Sequence, residues 1–309
     1  MKAVVGMVVT LLILISAASS QTDIVLLNKW GEYGAKPGQF KFPTMIATDS
    51  RSDVYVVDQH NHRIQKFDSS GNFISMWGKS GGDEGDFYYP YGIAIDSRDN
   101  IYVSDMNNNR VQKFTSTGKF IGSVGTYGSS DGQFRYPYGI AVDKNDMLYV
   151  IDAFNYRIQK FNADLTFAGK WGSQEIFGIK LYMPHEIAID NDGNIMLSDR
   201  QNHRLAVFNR EGQLITRFGE FGEGKDAPAG KYSEPHGIAV SKQGDIFICD
   251  RYNFSVQMLN AKHEAATKWL TSGNFDNSRH FPLGITVAKN GTLYITDHFA
   301  HTIQRYKVY

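Results

Sequence analysis

The segment YYPYGIAIDSRDNIYVSDMNNNRVQKF, residues 88–114, recurs forty-seven residues later as RYPYGIAVDKNDMLYVIDAFNYRIQKF and forty-seven residues earlier as KFPTMIATDSRSDVYVVDQHNHRIQKF. Pro43, Pro90, Pro137, Pro184, Pro235 and Pro282 keep this period, with steps of 47, 47, 47, 51 and 47. Asp58, Asp105, Asp152, Asp199, Asp250 and Asp297 step identically. Self-similarity at a fixed period of forty-odd residues is the mark of a repeat architecture. Six units follow, and the four extra residues fall in FGEGKDAPAGKYSEP, ahead of the fifth unit's first strand.

Within one unit, GIAID, NIYVSD, RVQKF and KFIGSV read as four short strands, separated by the turn clusters SRDN, MNNN and TSTG. Such a unit has two apolar faces and must stack on its neighbours to bury them. The expected fold is an all-β six-bladed β-propeller with four antiparallel strands per blade. The last unit ends at Tyr309, soon after its third strand, whereas DIVLLNKWG near the start resembles an orphan fourth strand. Trp30-Gly31 matches Trp77-Gly78 and Trp171-Gly172, so the N-terminal strand is expected to complete the last blade and close the ring.

With 30 glycines against 8 prolines and 13% aromatic residues, composition agrees with many short strands and turns. The 32 basic and 32 acidic side chains cancel, leaving no global basic field to hold nucleic acid. Residues 1–20 combine Lys2, a short apolar run and the small residues Ala18-Ser19-Ser20, the pattern of a secretory signal peptide. The propeller is then expected over 21–309, secreted to the extracellular space, with no membrane span and as a monomer. Cys249 is the only cysteine, so no intrachain disulfide forms, and its apolar strand context predicts a buried, inert thiol.

The pattern P-x-G-I-A-x-D, N-I-Y-V-x-D, N-x-R-I-Q-K-F resembles the NHL-repeat family of six-bladed propellers over essentially all of residues 22–309. Asp58, Asn61 and Arg63 recur as Asp105, Asn108 and Arg110, then Asp152, Asn155 and Arg157, then Asp199, Asn202 and Arg204. A set repeated in this way is expected to be structural, with Asn at the left-handed turn position and Asp paired to Arg. Blades five and six depart from it, with Ser255 and Thr302 for the arginine and Ala300 for the asparagine.

Function is expected where the blades disagree. The residue after each proline reads Thr44, Tyr91, Tyr138, His185, His236 and Leu283, a ring facing one mouth of the funnel. Past the ladder aspartate a second ring reads Gln59, Met106, Ala153, Arg200, Arg251 and His298, with Tyr252 and Phe299 following the last two. Tyr91, Tyr138, His185, His236, Arg200, Arg251 and Tyr252 thus form a candidate binding surface for a peptide, protein or glycan, with no cofactor required.

The Pro-His motifs MPHEIAID and EPHGIAV are also similar to those of the peptidyl-α-hydroxyglycine amidating lyases, which use zinc. That resemblance implies an alternative: His185 and His236 as zinc ligands completed by His298, Arg200 or Arg251 holding substrate, and Tyr252 near the chemistry. The chain departs from that pattern in having two Pro-His blades rather than three, and a single cysteine. Asn253 and Asn290 lie in N-x-S/T sequons and are candidate glycosylation sites, Asn290 in an expected exposed turn. GEFGEGKD has Asp226 and Pro228 where a phosphate loop needs Ser or Thr and a helix.

Overall fold

A computed structural model describes residues 23–172, 181–224, 226–271 and 280–309. Residues 1–20, the expected signal peptide, lie outside them. Short apolar runs bounded by turn residues pair as antiparallel meanders, giving six four-stranded sheets. Blade one, for instance, runs Pro43–Thr48, Val54–Asp58, Arg63–Phe67 and Phe73–Trp77 in spatial order. The first strand of each blade is the innermost, and each of these inner strands packs beside those of the preceding and following blades, with the sixth returning to the first. The ring is closed.

Closure uses the strand expected from the sequence. Ile24–Trp30 pairs antiparallel with Thr302–Val308 as the outer strand of blade six, from Ile24 opposite Val308 to Trp30 opposite Ile303. Trp30 takes the same place as Trp77 and Trp171. Each packs on a glycine of the following blade's turn, Gly71, Gly118 and Gly212, where an added Cβ would lie 2.7, 2.7 and 2.4 Å from the indole.

The hydrophobic core is divided into clusters between neighbouring blades. One joins blades six and one through Phe40, Ile46, Val54, Phe67, Tyr294 and Ile303, with Trp30 packed against it. Cys249 is buried in the cluster joining blades five and six. The lengthened loop before blade five keeps the plan of the others. Glu220–Phe221 and Lys231–Tyr232 pair in parallel, as Tyr33 and Phe40, Ser80 and Phe87, and Tyr127 and Phe134 do earlier.

The Asp-Asn-Arg ladder is structural, with one difference from expectation. Asp58 accepts from Arg63 Nε at 2.7 Å and Asn61 Nδ2 at 2.9 Å, while the Arg63 guanidinium also donates to the carbonyls of Ala35, Lys36 and Gln39. The arginine therefore fastens the preceding loop to its blade. The left-handed turn position falls on the residue after the ladder asparagine, at His62, Asn109, Tyr156, His203 and Phe254. The asparagine is used for its side-chain amide, which bridges the aspartate and a loop carbonyl such as Gly34.

Candidate functional site

Each inner strand starts at its proline, and proline disfavours the α conformation in the residue before it. Phe42, Tyr89, Tyr136, Met183 and Glu234 stand there with φ of 53, 54, 53, 55 and 56°. A bulky residue in the left-handed region is strained, so the surrounding bonds must hold it. Two do so. The ladder aspartate accepts the N–H one residue further back, as Asp58 does from Lys41 at 2.7 Å. The pre-proline N–H itself donates across the blade boundary: Phe42 to His301 Nδ1, Tyr89 to His62 Nδ1, Tyr136 to Asn109 Oδ1 and Glu234 to His203 Nδ1, all at 3.0–3.2 Å.

These residues, which sequence reasoning passed over in favour of the position after the proline, form the rim. Around blades six, one and two they make a continuous aromatic crescent. Phe281 meets Phe299 at 4.7 Å, Phe299 meets Phe42 at 5.8 Å, Phe42 meets His60 at 4.6 Å, and His60 meets Tyr89 at 5.0 Å between ring centroids. In blade three Tyr136 and Phe154 pair at 5.1 Å, both exposed. Burial lowers the pKa of His60, His62, His298 and His301, His298 to about 4, so at neutral pH these rings are neutral stacking surfaces.

The ring after the prolines lies beneath, and it is a floor rather than an open mouth. Thr44, Tyr91, His185, His236 and Leu283 are buried and Tyr138 is half-buried. The structure brings the four expected aromatic residues together: Tyr138 stacks on His185 at 4.6 Å, and Tyr91 Oη lies 3.1 Å from His185 Nδ1 and 3.3 Å from His236 Nδ1. Burial first, and then the nearby positive charges, push both histidines well below the usual range, so both are neutral. Arg200 Nη1 donates to His185 Nε2 at 3.0 Å. A neutral imidazole has one N–H, so His185 carries it on Nδ1 and donates to Tyr91, which donates in turn to His236 Nδ1. The His236 proton then sits on Nε2.

A charged sector completes the site over blades four and five. Arg200 binds Glu234 through Nε at 2.6 Å and Nη2 at 2.5 Å, and Arg251 Nη1 lies 4.0 Å from the same carboxylate. Arg251 also stands over the rings of Tyr252 at 5.2 Å and Phe281 at 5.6 Å, and its buried Nε has no hydrogen-bond partner. Two guanidiniums against one carboxylate leave a positive charge at the end of the crescent, suited to an anionic group. Tyr252 is exposed there.

His298 does not join the histidine pair as a ligand set; its Nδ1 donates to the Pro43 carbonyl at 3.1 Å and its ring packs on Phe42. Among the described residues no three His, Cys, Asp or Glu side chains are placed to hold a metal. With His185 Nε2 facing a guanidinium and both Nδ1 atoms engaged by Tyr91, the donor set does not fit zinc. Of the two sequons, Asn290 is exposed, whereas Asn253 is buried with its amide bound to Gly222 and Asp250. Among the described residues no helix is long and apolar enough to cross a membrane.

The NHL repeat matches this chain at residues 40–67, 87–114, 181–208 and 232–258. Protein brain tumor of Drosophila melanogaster is 47% identical over 45 residues, 15% of this chain but only 4% of that protein. Among solved structures, a streptogramin B lyase aligns at 16% identity over 95% of this chain and 100% of its own, with a TM-score of 0.62. A gluconolactonase from Xanthomonas campestris aligns at 12% identity over 94% and 91%, with a TM-score of 0.68. At such identities these likenesses concern the fold. The chain thus carries four matched NHL repeats within six closed sheets of one plan, a six-bladed β-propeller.

Proposed function

We propose that the protein is a recognition module whose rim binds a peptide or protein segment, with an aromatic or proline side chain laid on the crescent and a carboxylate received by Arg251. The observation that carries this is the Arg251 guanidinium, with a buried and unpartnered Nε, at the end of the crescent from Phe281 to Tyr89. Arg200 and Arg251 share the one Glu234 carboxylate, and the positive charge left over gives a ligand carboxylate a charge-assisted partner, about 1.5–3 kcal/mol. Aromatic and arginine side chains are also the commonest anchors of protein interfaces. The floor beneath them has its histidines occupied by Tyr91 and Arg200, which suits a rigid support for bound ligand.

Selection of a random peptide library on the immobilised chain tests this. Enriched peptides should pair an aromatic residue or proline with Asp or Glu, and binding should fall at least tenfold in Arg251→Ala and in Tyr89→Ser. Failure to enrich peptides, with binding to a glycan array instead, would replace the peptide with a carbohydrate.

We further propose that the chain is secreted as a monomer and carries a glycan on Asn290. The leader-like residues 1–20 and the exposure of Asn290 support this. Intact-mass and glycopeptide analysis of protein from a secreting cell checks it, with modification expected at Asn290 and none at buried Asn253.

A further inference from the structure

A single carboxyl group lies in the propeller's axis. At the third position of the inner strand Gly92, Gly139, Gly237 and Gly284 stand where a Cβ would come within 2.4–2.7 Å of the next inner strand's carbonyl oxygen. Blade four has Glu186 there, and blade one Met45. Glu186 is 7% exposed, and its Oε2 has no hydrogen-bond partner. The Ile187 N–H donates to the carboxyl, and Oε1 lies beside Gly139, which lacks the side chain that would fill this space. Glu186 is one of the residues lining an axial cavity of about 240 Å³, walled by the last residues of the inner strands, Ile95, Ala141, Val142, Val240 and Val287 among them. Among the described residues no basic side chain lines it.

We propose that this cavity is a binding site for one primary alkylammonium group, with Glu186 as its counter-ion. A buried carboxyl with one oxygen unpartnered is costly, and one positive charge with N–H donors reduces that cost. A divalent ion needs several oxygen ligands. Among the described residues Glu186 is the only carboxyl in the lining, and the remaining side-chain oxygens are the hydroxyls of Thr48 and Thr286. An alkyl chain, by contrast, gains from the isoleucine, alanine and valine walls. The Tyr91–His185–His236 layer fills the axis on the rim side, so the amine enters from the opposite face. The site is therefore independent of peptide recognition at the rim.

Burial raises the Glu186 pKa to about 8, so a bound ammonium group displaces a proton. The nearby Tyr91 phenol and Cys249 thiol are both held neutral by burial, and the released proton is the carboxyl's own. Calorimetric titration of the whole chain at pH 7.5 with n-propylammonium chloride, in two buffers of different ionisation enthalpy, tests the proposal. One site per chain and release of a proton are expected, with affinity reduced at least tenfold in both Glu186→Gln and Glu186→Gly. The second variant installs the residue of four other blades, and so reports even if the first fails to fold. Absence of binding to the wild-type chain, undiminished binding by a folded variant, or equal binding of KCl would overturn it, the last by showing an alkali-ion site.

Discussion

The phenol of Tyr91 reaches across the propeller axis from blade two to lie 3.3 Å from Nδ1 of His236 in blade five. The same hydroxyl meets His185, so one side chain ties three blades together at the floor of the rim. Tyr91→Phe keeps the ring and removes the hydroxyl, leaving two buried imidazole nitrogens without it. The expected loss is about 1–3 kcal/mol of unfolding free energy, read from urea denaturation. No change in the midpoint would mean that the hydroxyl is not bonded in solution.

Acid should unfold this protein through its histidines. His185 and His236 are held well below 6.5 and His298 at about 4 in the folded chain, while in the unfolded chain all three titrate near 6.5. A depressed folded pKa gives stability that is present above 6.5 and is lost as pH falls toward the folded value. Between pH 6 and 4.5 these histidines bind up to three more protons in the unfolded chain, a contribution of up to about 4 kcal/mol per pH unit, opposed in part by Glu186 and Asp250, whose folded pKa values of about 8 and about 6 keep protons on the folded chain. Denaturation curves at pH 7.5 and 5.5 measure it, and His236→Asn should flatten the slope.

The ladder arginines should matter far more than exposed ones. Arg157 is 8% exposed and binds the buried Asp152 at 2.7 Å, whereas Arg51, 66% exposed, pairs with Asp53 at 3.3 Å. Arg157→Ala strands a buried carboxylate and should cost about 3–5 kcal/mol. Arg51→Ala should stay within about 0.5 kcal/mol. Equal effects in thermal denaturation would contradict a stitching role for the ladder.

Removal of residues 24–30 bares the edge of Thr302–Val308 and uncovers the cluster beneath Trp30. Loss of the half-buried Trp30 side chain alone removes up to about 3 kcal/mol of burial energy. The melting temperature should fall by at least about 10 °C, and an unchanged value would deny the strand its closing role.

The ring of six blades was legible because packing demands the same residues at the same interval, and a prolonged period cannot arise from local structure alone. The direction of the site's side chains was less so. Tyr91, His185 and His236 look from the sequence like a solvent-facing ring, but the register shift between each proline and the isoleucine three residues on turns them into the axis. It also brings Phe42, Tyr89 and Tyr136 to the rim, and no single-residue pattern announces a left-handed aromatic residue before proline. Glu186 was visible as a departure from glycine in PHEIAID, yet its burial and its missing partner depend on Gly139 in the neighbouring strand. Arg200 and Arg251 were found as neighbours, while their shared Glu234 was not, because it comes from the residue before the next blade's proline.

Because Ile24–Trp30 pairs with Thr302–Val308, the earliest described strand of the fold cannot dock until the last strand of the sixth sheet has been made. Its apolar residues Val25, Leu26 and Leu27 wait uncovered meanwhile, and they remain exposed in the finished ring. Assembly is thus gated by its most distant pairing, and a nascent chain halted before the sixth sheet would be a five-sheet arc with a loose, sticky tail.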